Sequence, residues 1–288
     1  MSIDQASRLR ALSRQQIPEA ALFSCRVMAI TSGKGGVGKT NVVAGLAMSL
    51  AQTGQRVVVL DADFGLANLD ILLGLTPTHT LEHVLRGEKL LEEIILEGPL
   101  GIRVIPASSG IQELTRLDTT AELRLIQGLQ RVSETTDWML IDTAAGIHDS
   151  VIKLLLAAQE VLLVTTPEPT SLVDAYAMVK VIHLRDPQKP IWLLVNNAQH
   201  EDEAEETIEQ LQAATQRFLG RELKNLGMIP ADPCLLQSVR EQRGVVERFP
   251  RCPAALAFRQ IADQIKRKVP LQKDGFASFW KQLSLGEL

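Results

Sequence analysis

The sequence predicts an α/β fold with a doubly wound, mostly parallel sheet that is flanked by helices. Short runs rich in Val, Ile and Leu recur along the chain, and most of them lack the polar alternation of a half-exposed strand. Such runs are typical of strands that are buried on both faces of a parallel sheet. Helical patterns lie between the runs, and this alternation indicates βα units whose functional sites lie at the carboxyl ends of the strands.

The predicted elements follow one another in a regular order. The strands are RVMAIT (26–31), RVVVLDAD (56–63), IRVIPA (102–107), WMLIDT (138–143), EVLLVTTP (160–167) and IWLLVNN (191–197). The helical patterns cover 38–53, 81–96, 119–135, 149–158, 171–184 and 201–218. We therefore expect one domain over residues 25–269, with the end segments 1–24 and 270–288 outside the alternation.

Length and composition narrow the class of protein. The chain has 288 residues, 45% of them hydrophobic, which is enough for one large core or at most two small ones. A net charge of −4 gives no basic field for nucleic acid, and no direct nucleic-acid binding is expected. No apolar run resembles a signal peptide or a membrane span, so a cytoplasmic protein is expected. Cys25, Cys234 and Cys252 are far apart in the sequence without metal-ligand spacing, and they are interpreted as packing residues.

A glycine-rich loop follows the first predicted strand and opens the first predicted helix. The residues that satisfy the pattern G-x-x-x-x-G-K-[ST] are Gly33, Lys34, Gly35, Gly36, Val37, Gly38, Lys39 and Thr40. Backbone N–H groups of such a loop and the positive end of the helix converge on phosphate oxygens. The pattern predicts an ATP site in which Lys39 reaches the β and γ phosphates and the Thr40 hydroxyl binds Mg²⁺. The neighbouring Asn41 is included in this site.

Carboxylates end two of the predicted strands. Asp142 follows an apolar run, where a second Mg²⁺-linked carboxylate belongs in P-loop NTPases. Asp61 and Asp63 end the run at 56–63, and Asp63, which is followed by the flexible Gly65, is predicted to orient the attacking water. A second interpretation remains for Asp61, because an acidic residue at a strand end often only caps the next helix.

Three motifs together resemble the MinD/ParA class of P-loop ATPases, over nearly the whole chain. They are SGKGGVGKT (32–40), DADFGLANLDILLG (61–74) and IDTAAG (141–146). The resemblance implies a MinD-like fold, ATP hydrolysis with Mg²⁺, and a homodimer in the ATP-bound state. It also implies that Lys34, the second lysine of the loop, contacts the partner's phosphates across the dimer interface, as an arginine finger acts in trans.

Further residues take roles from the same resemblance. The implied switch residues are Asp61, Asp63 and Gly146, and the implied adenine-binding residues are Asn196, Pro230 and Asp232. Asn196 is preferred over its neighbour because it lies closer to the apolar run, although asparagine at a strand end is also ordinary turn chemistry. The chain departs from the class at Ala144, where proline is common.

The N-terminal segment resembles one branch of the class, the flagellar-number regulators called FlhG or FleN. DQASRLR (4–10) matches their DQAxxLR segment, which activates a partner GTPase of the FlhF type. The residues implied in partner binding, within the segment 1–13, are Asp4, Gln5, Ala6, Leu9 and Arg10. Ser2 and Gln5 also form a capping box, so a helix that packs on its own domain is the alternative.

The C-terminal segment contains one apolar face of a predicted helix. Its members, spaced i, i+3, i+4 and i+7, are Phe276, Phe279, Trp280 and Leu283. Basic side chains outnumber acidic ones in the last thirty residues, six against three. This combination suits an anionic membrane surface. A helix docked on the body of the protein through the same aromatic side chains is the alternative.

The patterns and the resemblance together predict an ATPase that cycles between a cytoplasmic monomer and an ATP-bound homodimer on the inner face of the cell membrane. The expected output is control of flagellum number and placement, through the FlhF-type GTPase and a flagellar transcription activator. Both of these partners come from the resemblance alone. Two alternatives remain: a division-site or partitioning ATPase of the same class, and an ATP-gated binding module in which hydrolysis only resets a protein–protein interaction.

Overall fold

The computed structural model describes residues 25–63, 68–106 and 119–268. Its strands are β1 (Arg26–Thr31), β2 (Val57–Ala62), β3 (Leu96–Glu97), β4 (Arg103–Ile105), β5 (Trp138–Thr143), β6 (Glu160–Thr165), β7 (Ile191–Ala198) and β8 (Lys224–Pro230). They form one sheet in the order β3-β4-β2-β5-β1-β6-β7-β8. Neighbouring strands are parallel except for the short edge pair β3 and β4. The predicted doubly wound, mostly parallel sheet is confirmed.

Helices connect the strands and cover both faces of the sheet. In chain order they are α1 (Lys39–Gln52), α2 (Leu69–Leu72), α3 (Leu81–Leu85), α4 (Leu91–Ile94), α5 (Thr119–Glu134), α6 (Asp149–Ala157), α7 (Pro169–Arg185), α8 (Glu201–Leu219), α9 (Pro233–Arg240), α10 (Val245–Arg248) and α11 (Pro253–Lys268). A 3₁₀ turn, Pro99–Gly101, precedes β4. None of the helices in the described ranges combines the length and the apolar character that crossing a bilayer requires.

The core consists of two apolar layers, one on each face of the sheet. Helices α1, α10 and α11 contribute to one layer, and helices α3 to α8 contribute to the other. Strand β1 shows how the central strands serve both, because Met28 and Ile30 face the first layer while Val27 and Ala29 face the second. This explains why the central strands are continuous apolar runs in the sequence. In the first layer α1 and α11 pack so closely that a Cβ on Gly45 would lie 2.7 Å from the Phe258 ring.

One predicted helix is wrong. The pattern over 81–96 suggests a single helix, but the structure has α3, a turn, α4 and the edge strand β3 in this interval. Gly87 has a φ of 76°, a left-handed conformation that ends the first helix. Leu96 and Glu97 then pair antiparallel with β4. The apolar spacing reflects burial of Leu81, Val84, Leu91 and Ile94 in one layer, which two short helices achieve as well as one long helix.

The region after residue 218 contains elements that the sequence patterns did not predict. Strand β8 includes Gly227 and ends at Pro230, two residues that argue against a strand, and its position at the sheet edge tolerates them. Helices α9, α10 and α11 follow it. The predicted N-terminal partner segment and C-terminal membrane segment lie outside the described residues, as does the end of the predicted strand 102–107.

Candidate nucleotide site

The glycine-rich loop joins β1 to α1 at the carboxyl edge of the sheet. Gly36 and Gly38 have φ values of 82° and 84°, the left-handed region in which side chains are strained. Gly33 has no room for a side chain, because a Cβ there would lie 2.3 Å from the backbone of Asp174 in α7. These three glycines allow the loop to curl at the start of α1 while it packs against α7. The backbone N–H groups of a loop of this shape can converge on phosphate.

Lys39, the first residue of α1, forms a buried ion pair with Asp142 in β5. Burial raises the pKa of Asp142, and the Lys39 charge together with a hydrogen bond from Thr40 acts in the opposite direction. The two side chains predicted to bind Mg²⁺, Thr40 and Asp142, are therefore already neighbours. A carboxylate that is buried beside a lysine and a hydroxyl fits the oxygen-ligand chemistry that Mg²⁺ prefers.

A second carboxylate lies beside this pair. Strands β2 and β5 are adjacent, and Asp61 is in register with Asp142. Burial, and to a smaller extent the Asp142 charge, raises the pKa of Asp61 to about 7. The Asp61 oxygens accept hydrogen bonds from the backbone N–H groups of Asp63, at 3.1 Å, and Leu69, at 3.4 Å. Leu69 is the first residue of α2, so its hydrogen bond to Asp61 agrees with the helix-cap interpretation. The hydrogen bond from Asp63 lies outside that interpretation.

The remaining predicted switch residues lie at the same edge of the sheet. Asp63 directly follows β2 and is half-buried. Gly146, in the loop after β5, has a φ of 92°, and its N–H donates to the Ser32 carbonyl at 3.0 Å. This bond ties the loop after β5 to the start of the glycine-rich loop. A displacement of one loop by nucleotide would therefore be felt by the other.

Lys34 has different partners from Lys39. Its Nζ donates to Glu168 Oε2 at 2.8 Å and to Thr170 Oγ1 at 3.0 Å, and these groups are exposed. Glu168 precedes α7, and Thr170 lies in its first turn. Neither Glu168 nor Thr170 was singled out in the sequence. The structure shows why they meet Lys34: β1 and β6 are neighbours in the sheet, so the loops that follow them lie at one edge, and no sequence motif marks this contact.

Asn196 connects the glycine-rich loop to strand β7. Its Nδ2 donates to the Val37 carbonyl at 2.7 Å. Its Oδ1 is buried and has no hydrogen-bond partner among the described residues. The adjacent Asn197 is exposed, with a φ of 60°. A buried acceptor of this kind can receive a hydrogen bond from the amino group of an adenine.

Pro230 and Asp232 lie at the end of β8 and directly beyond it. The Asp232 carboxylate accepts from the N–H of Cys234 at 2.9 Å and from the N–H of Ala254 at 2.9 Å. It therefore caps both α9 and α11, a role that the sequence patterns did not predict. Each carboxylate oxygen keeps acceptor capacity for a further partner. The assignment of Pro230 and Asp232 to adenine stays a prediction.

Comparison with known proteins agrees with this geometry. The family described as "AAA domain" matches residues 25–190. The antiactivator FleN of Pseudomonas aeruginosa is 45% identical over 245 residues, which cover 85% of this chain and 88% of FleN. The flagellum site-determining protein YlxH of Helicobacter pylori is 35% identical over 289 residues, which cover 97% of this chain and 98% of YlxH.

Solved structures of cell-division ATPases have the same fold. The cell division ATPase MinD of Pyrococcus furiosus superposes with a TM-score of 0.70 at 28% identity, covering 85% of this chain and 99% of MinD. MinD of Pyrococcus horikoshii, solved in complex with Mg-ADP, gives a TM-score of 0.69 at 26% identity, covering 84% and 96%. The chain therefore belongs to the MinD/ParA family of P-loop ATPases.

Proposed function

We propose that this chain is an ATP-driven dimerisation switch that regulates flagellum number and placement. As a member of its family it is an ATPase that uses ATP and Mg²⁺. The flagellar role is supported by its similarity to FleN and YlxH along most of its length. The similarity to MinD proteins is lower in identity and covers less of the chain than the similarity to YlxH. This favours the flagellar regulator over the division-site alternative.

The observation that supports a switch is the division of work between the two lysines of one loop. Lys39 is buried and neutralises Asp142 within the site. Lys34 is directed to the surface, where its charge contacts Glu168 and Thr170. A cation at the rim of a phosphate site is available to a second molecule that binds over that rim. We infer that Lys34 acts on the nucleotide of a dimer partner.

The other site residues have separable roles in this proposal. The loop N–H groups and Lys39 bind phosphate, while Thr40 and Asp142 hold Mg²⁺, which neutralises phosphate charge when bound. Asp63 orients the attacking water. Asp61 holds the backbone of Asp63 in place through a hydrogen bond to its N–H group.

Substitution of the two lysines tests the proposal. Lys34→Ala should bind ATP with nearly wild-type affinity, because Lys39 and the loop amides remain. It should sediment as a monomer with ATP and lose most of its hydrolysis. The matched control, Lys39→Ala, should fail at nucleotide binding itself. A full-strength ATP-dependent dimer of the Lys34 variant would overturn the trans role.

The proposal extends to partners and membrane through segments outside the described residues. Residues 1–13 would stimulate an FlhF-type GTPase, with Gln5 near its nucleotide, and the ATP-bound dimer would act on a flagellar transcription activator. Gln5→Ala should leave basal ATP hydrolysis unchanged and abolish stimulation of the GTPase. The C-terminal segment would take the dimer to an anionic membrane surface.

An ATP-gated binding module differs from this switch in one measurable respect. Asp63→Ala should bind ATP, dimerise and hardly hydrolyse. If hydrolysis serves only to reset an interaction, this variant should hold its partners with unchanged affinity. A switch that turns over should instead accumulate in the dimeric, membrane-bound form and stop cycling.

A further inference from the structure

Two of the three cysteines lie together in the fold. Asp232, Cys234 and Cys252 each offer one ligand atom, and these atoms all lie within 4.8 Å of one another. The packing interpretation fits this pair, because Cys252 is a member of one core layer and Cys234 packs against that layer, but the closeness of the two sulfurs was not predicted. The cause is topological, because α9 starts directly after β8 while the chain returns through α10 to begin α11 at the same place.

The geometry points to a binding site for a borderline metal ion such as Zn²⁺, with the Asp232 carboxylate and the Cys234 and Cys252 sulfurs as ligands. Two sulfurs and a carboxylate suit Zn²⁺ and related ions rather than Mg²⁺, which prefers oxygen alone. Ligand atoms around a tetrahedral Zn²⁺ lie about 3.3–3.8 Å apart. Rotation of the Cys234 and Cys252 side chains, which lie at the starts of two helices, would shorten the distances between ligand atoms by the remaining amount of about 1 Å.

The surroundings hold the ligands in place. Hydrogen bonds from the Ala254 and Cys234 N–H groups fix the orientation of the Asp232 carboxylate. Cys252 precedes α11, and its Sγ accepts from the Ala255 N–H at 3.4 Å. Supporting contacts of this kind orient metal ligands and strengthen binding. Cys252 is buried and Cys234 is half-buried. Water is therefore excluded on the Cys252 side, and a metal ion can enter from the Cys234 side.

A disulfide between Cys234 and Cys252 is the competing use of the same pair. We favour the metal because three ligand atoms of the types that Zn²⁺ accepts lie within 4.8 Å of one another, whereas a disulfide would use the two sulfurs alone. The site also has a consequence for the fold. An ion bound there would join the starts of α9 and α11 at the residue that caps both helices.

Cobalt substitution tests the site directly. Reduced, nucleotide-free protein is titrated with Co²⁺ in excess Mg²⁺, which fills oxygen-only sites. We expect one equivalent of Co²⁺ per chain, with the intense visible absorption of a tetrahedral ion and a near-ultraviolet thiolate band. Zn²⁺ should displace it. In the same buffer, Zn²⁺ should raise the Tm of the wild-type protein.

Serine variants provide the decisive comparison. Cys234→Ser and Cys252→Ser should each lose the thiolate band and the Zn²⁺-dependent rise in Tm. Serine is a good helix cap, so Cys252→Ser keeps the hydrogen bond at the start of α11 and should fold. Cys25→Ala is the matched control, because Cys25 lies in the core layer on the opposite face. A weak octahedral spectrum, or a thiolate band that survives in both serine variants, would overturn the site. Formation of a disulfide on oxidation without Co²⁺ binding in the reduced protein would also overturn it.

Discussion

The Lys34 amine lies 2.8 Å from Oε2 of Glu168 and 3.0 Å from Oγ1 of Thr170, so the second lysine of the glycine-rich loop is tied to the start of α7 in its own chain. Exposed pairs of this kind contribute at most about 1 kcal/mol to folding. The pair therefore matters less for stability than for the direction in which Lys34 points. A lysine that is already ordered loses less rotamer entropy when a dimer forms.

Glu168→Gln tests this ordering role. Immobilising a free lysine opposes association by about 1.5–2 kcal/mol, so we expect the ATP-dependent dimer of the variant to be weaker by up to about 30-fold. The Tm should stay close to that of the wild-type protein. Sedimentation equilibrium with ATP measures the dimer. If the variant instead dimerised more tightly, the pair would be a restraint that must break before the lysine reaches a partner.

Asp61 gives the protein a pH-dependent stability. Burial and the Asp142 charge raise the pKa of Asp61 to about 7 in the folded protein. Between pH 4 and pH 7 the Asp61 carboxyl is therefore protonated in the folded state and ionised in the unfolded state. Stability consequently falls as pH rises through this window, by on the order of 4 kcal/mol for this group. Above pH 7 the full penalty of the buried charge is present.

Asp61→Asn removes that penalty. Nucleotide-free Asp61→Asn should be more stable than the wild-type protein at pH 8, and its advantage should shrink toward pH 4.5, where the wild-type carboxyl is neutral. About 1 kcal/mol is offset by loss of one backbone hydrogen bond to the carboxylate. Urea unfolding at the two pH values provides the measurement. The exposed Asp202→Asn controls for loss of one charge, and an equal advantage at both pH values would refute the linkage.

Two glycines of the loop offer a matched test of its packing. A Cβ at Gly33 would lie 2.3 Å from the backbone of Asp174, whereas a Cβ at Gly35 meets nothing within 4 Å. We expect Gly33→Ala to reduce the free energy of unfolding by about 1–3 kcal/mol, as overpacking does, and to displace the loop. Gly35→Ala should change it by less than about 0.5 kcal/mol. Chemical unfolding without nucleotide compares them, and equal effects would show that α7 yields to the loop.

The neighbouring asparagines of β7 allow a second matched comparison. In Asn196→Asp a carboxylate would face the Val37 carbonyl, to which Asn196 Nδ2 donates at 2.7 Å. The repulsion should displace the loop and weaken ATP binding by about 10- to 100-fold, equivalent to about 1.4–2.8 kcal/mol. Asn197→Asp should bind normally, because Asp tolerates the left-handed backbone at that exposed position. Calorimetric titration distinguishes these outcomes, and equal affinities in the two variants would remove Asn196 from the site.

The same asparagine separates adenine recognition from loop support. Its unpartnered Oδ1 is an acceptor, and adenine offers an amino group that hypoxanthine lacks. The wild-type protein should therefore bind ATP more tightly than ITP. Equal affinity for the two nucleotides would leave Asn196 with the loop contact alone.

Local motifs made part of this site predictable. The segment from β1 through Lys39 can be recognised as a phosphate-binding loop from its residues alone, because the shape of one loop determines where its glycines and lysines stand. The Lys34 contact with Glu168 spans 134 residues and depends on which strands are neighbours, so no local pattern predicts it. The Cys234–Cys252 pair was missed for the same reason. Strand β8 was missed because an edge strand needs no continuous apolar run.

We propose that the C-terminal segment links nucleotide state to membrane binding, and the size of each free-energy contribution indicates how. Full burial of Phe276, Phe279, Trp280 and Leu283 would contribute on the order of 6–10 kcal/mol. An isolated segment this short is marginally helical in water, so ordering it offsets much of that gain. One copy should therefore bind a membrane weakly and reversibly. Two copies on one dimer gain effective concentration, which raises avidity about 100-fold without new contacts.

The resulting prediction is that Phe279→Glu and Trp280→Glu release the ATP-bound protein from vesicles with anionic lipid while its dimerisation stays intact. Vesicle co-sedimentation with ATP and with ADP measures the coupling, and Gln282→Glu is the matched control, since it adds the same charge beside the apolar face. Lys34→Ala, which should not dimerise, should bind vesicles as weakly as the ADP-bound protein. Equal vesicle binding in the ATP- and ADP-bound states would refute control by dimerisation, even if both aromatic variants were released. Dimerisation through Lys34 would then act on partners alone.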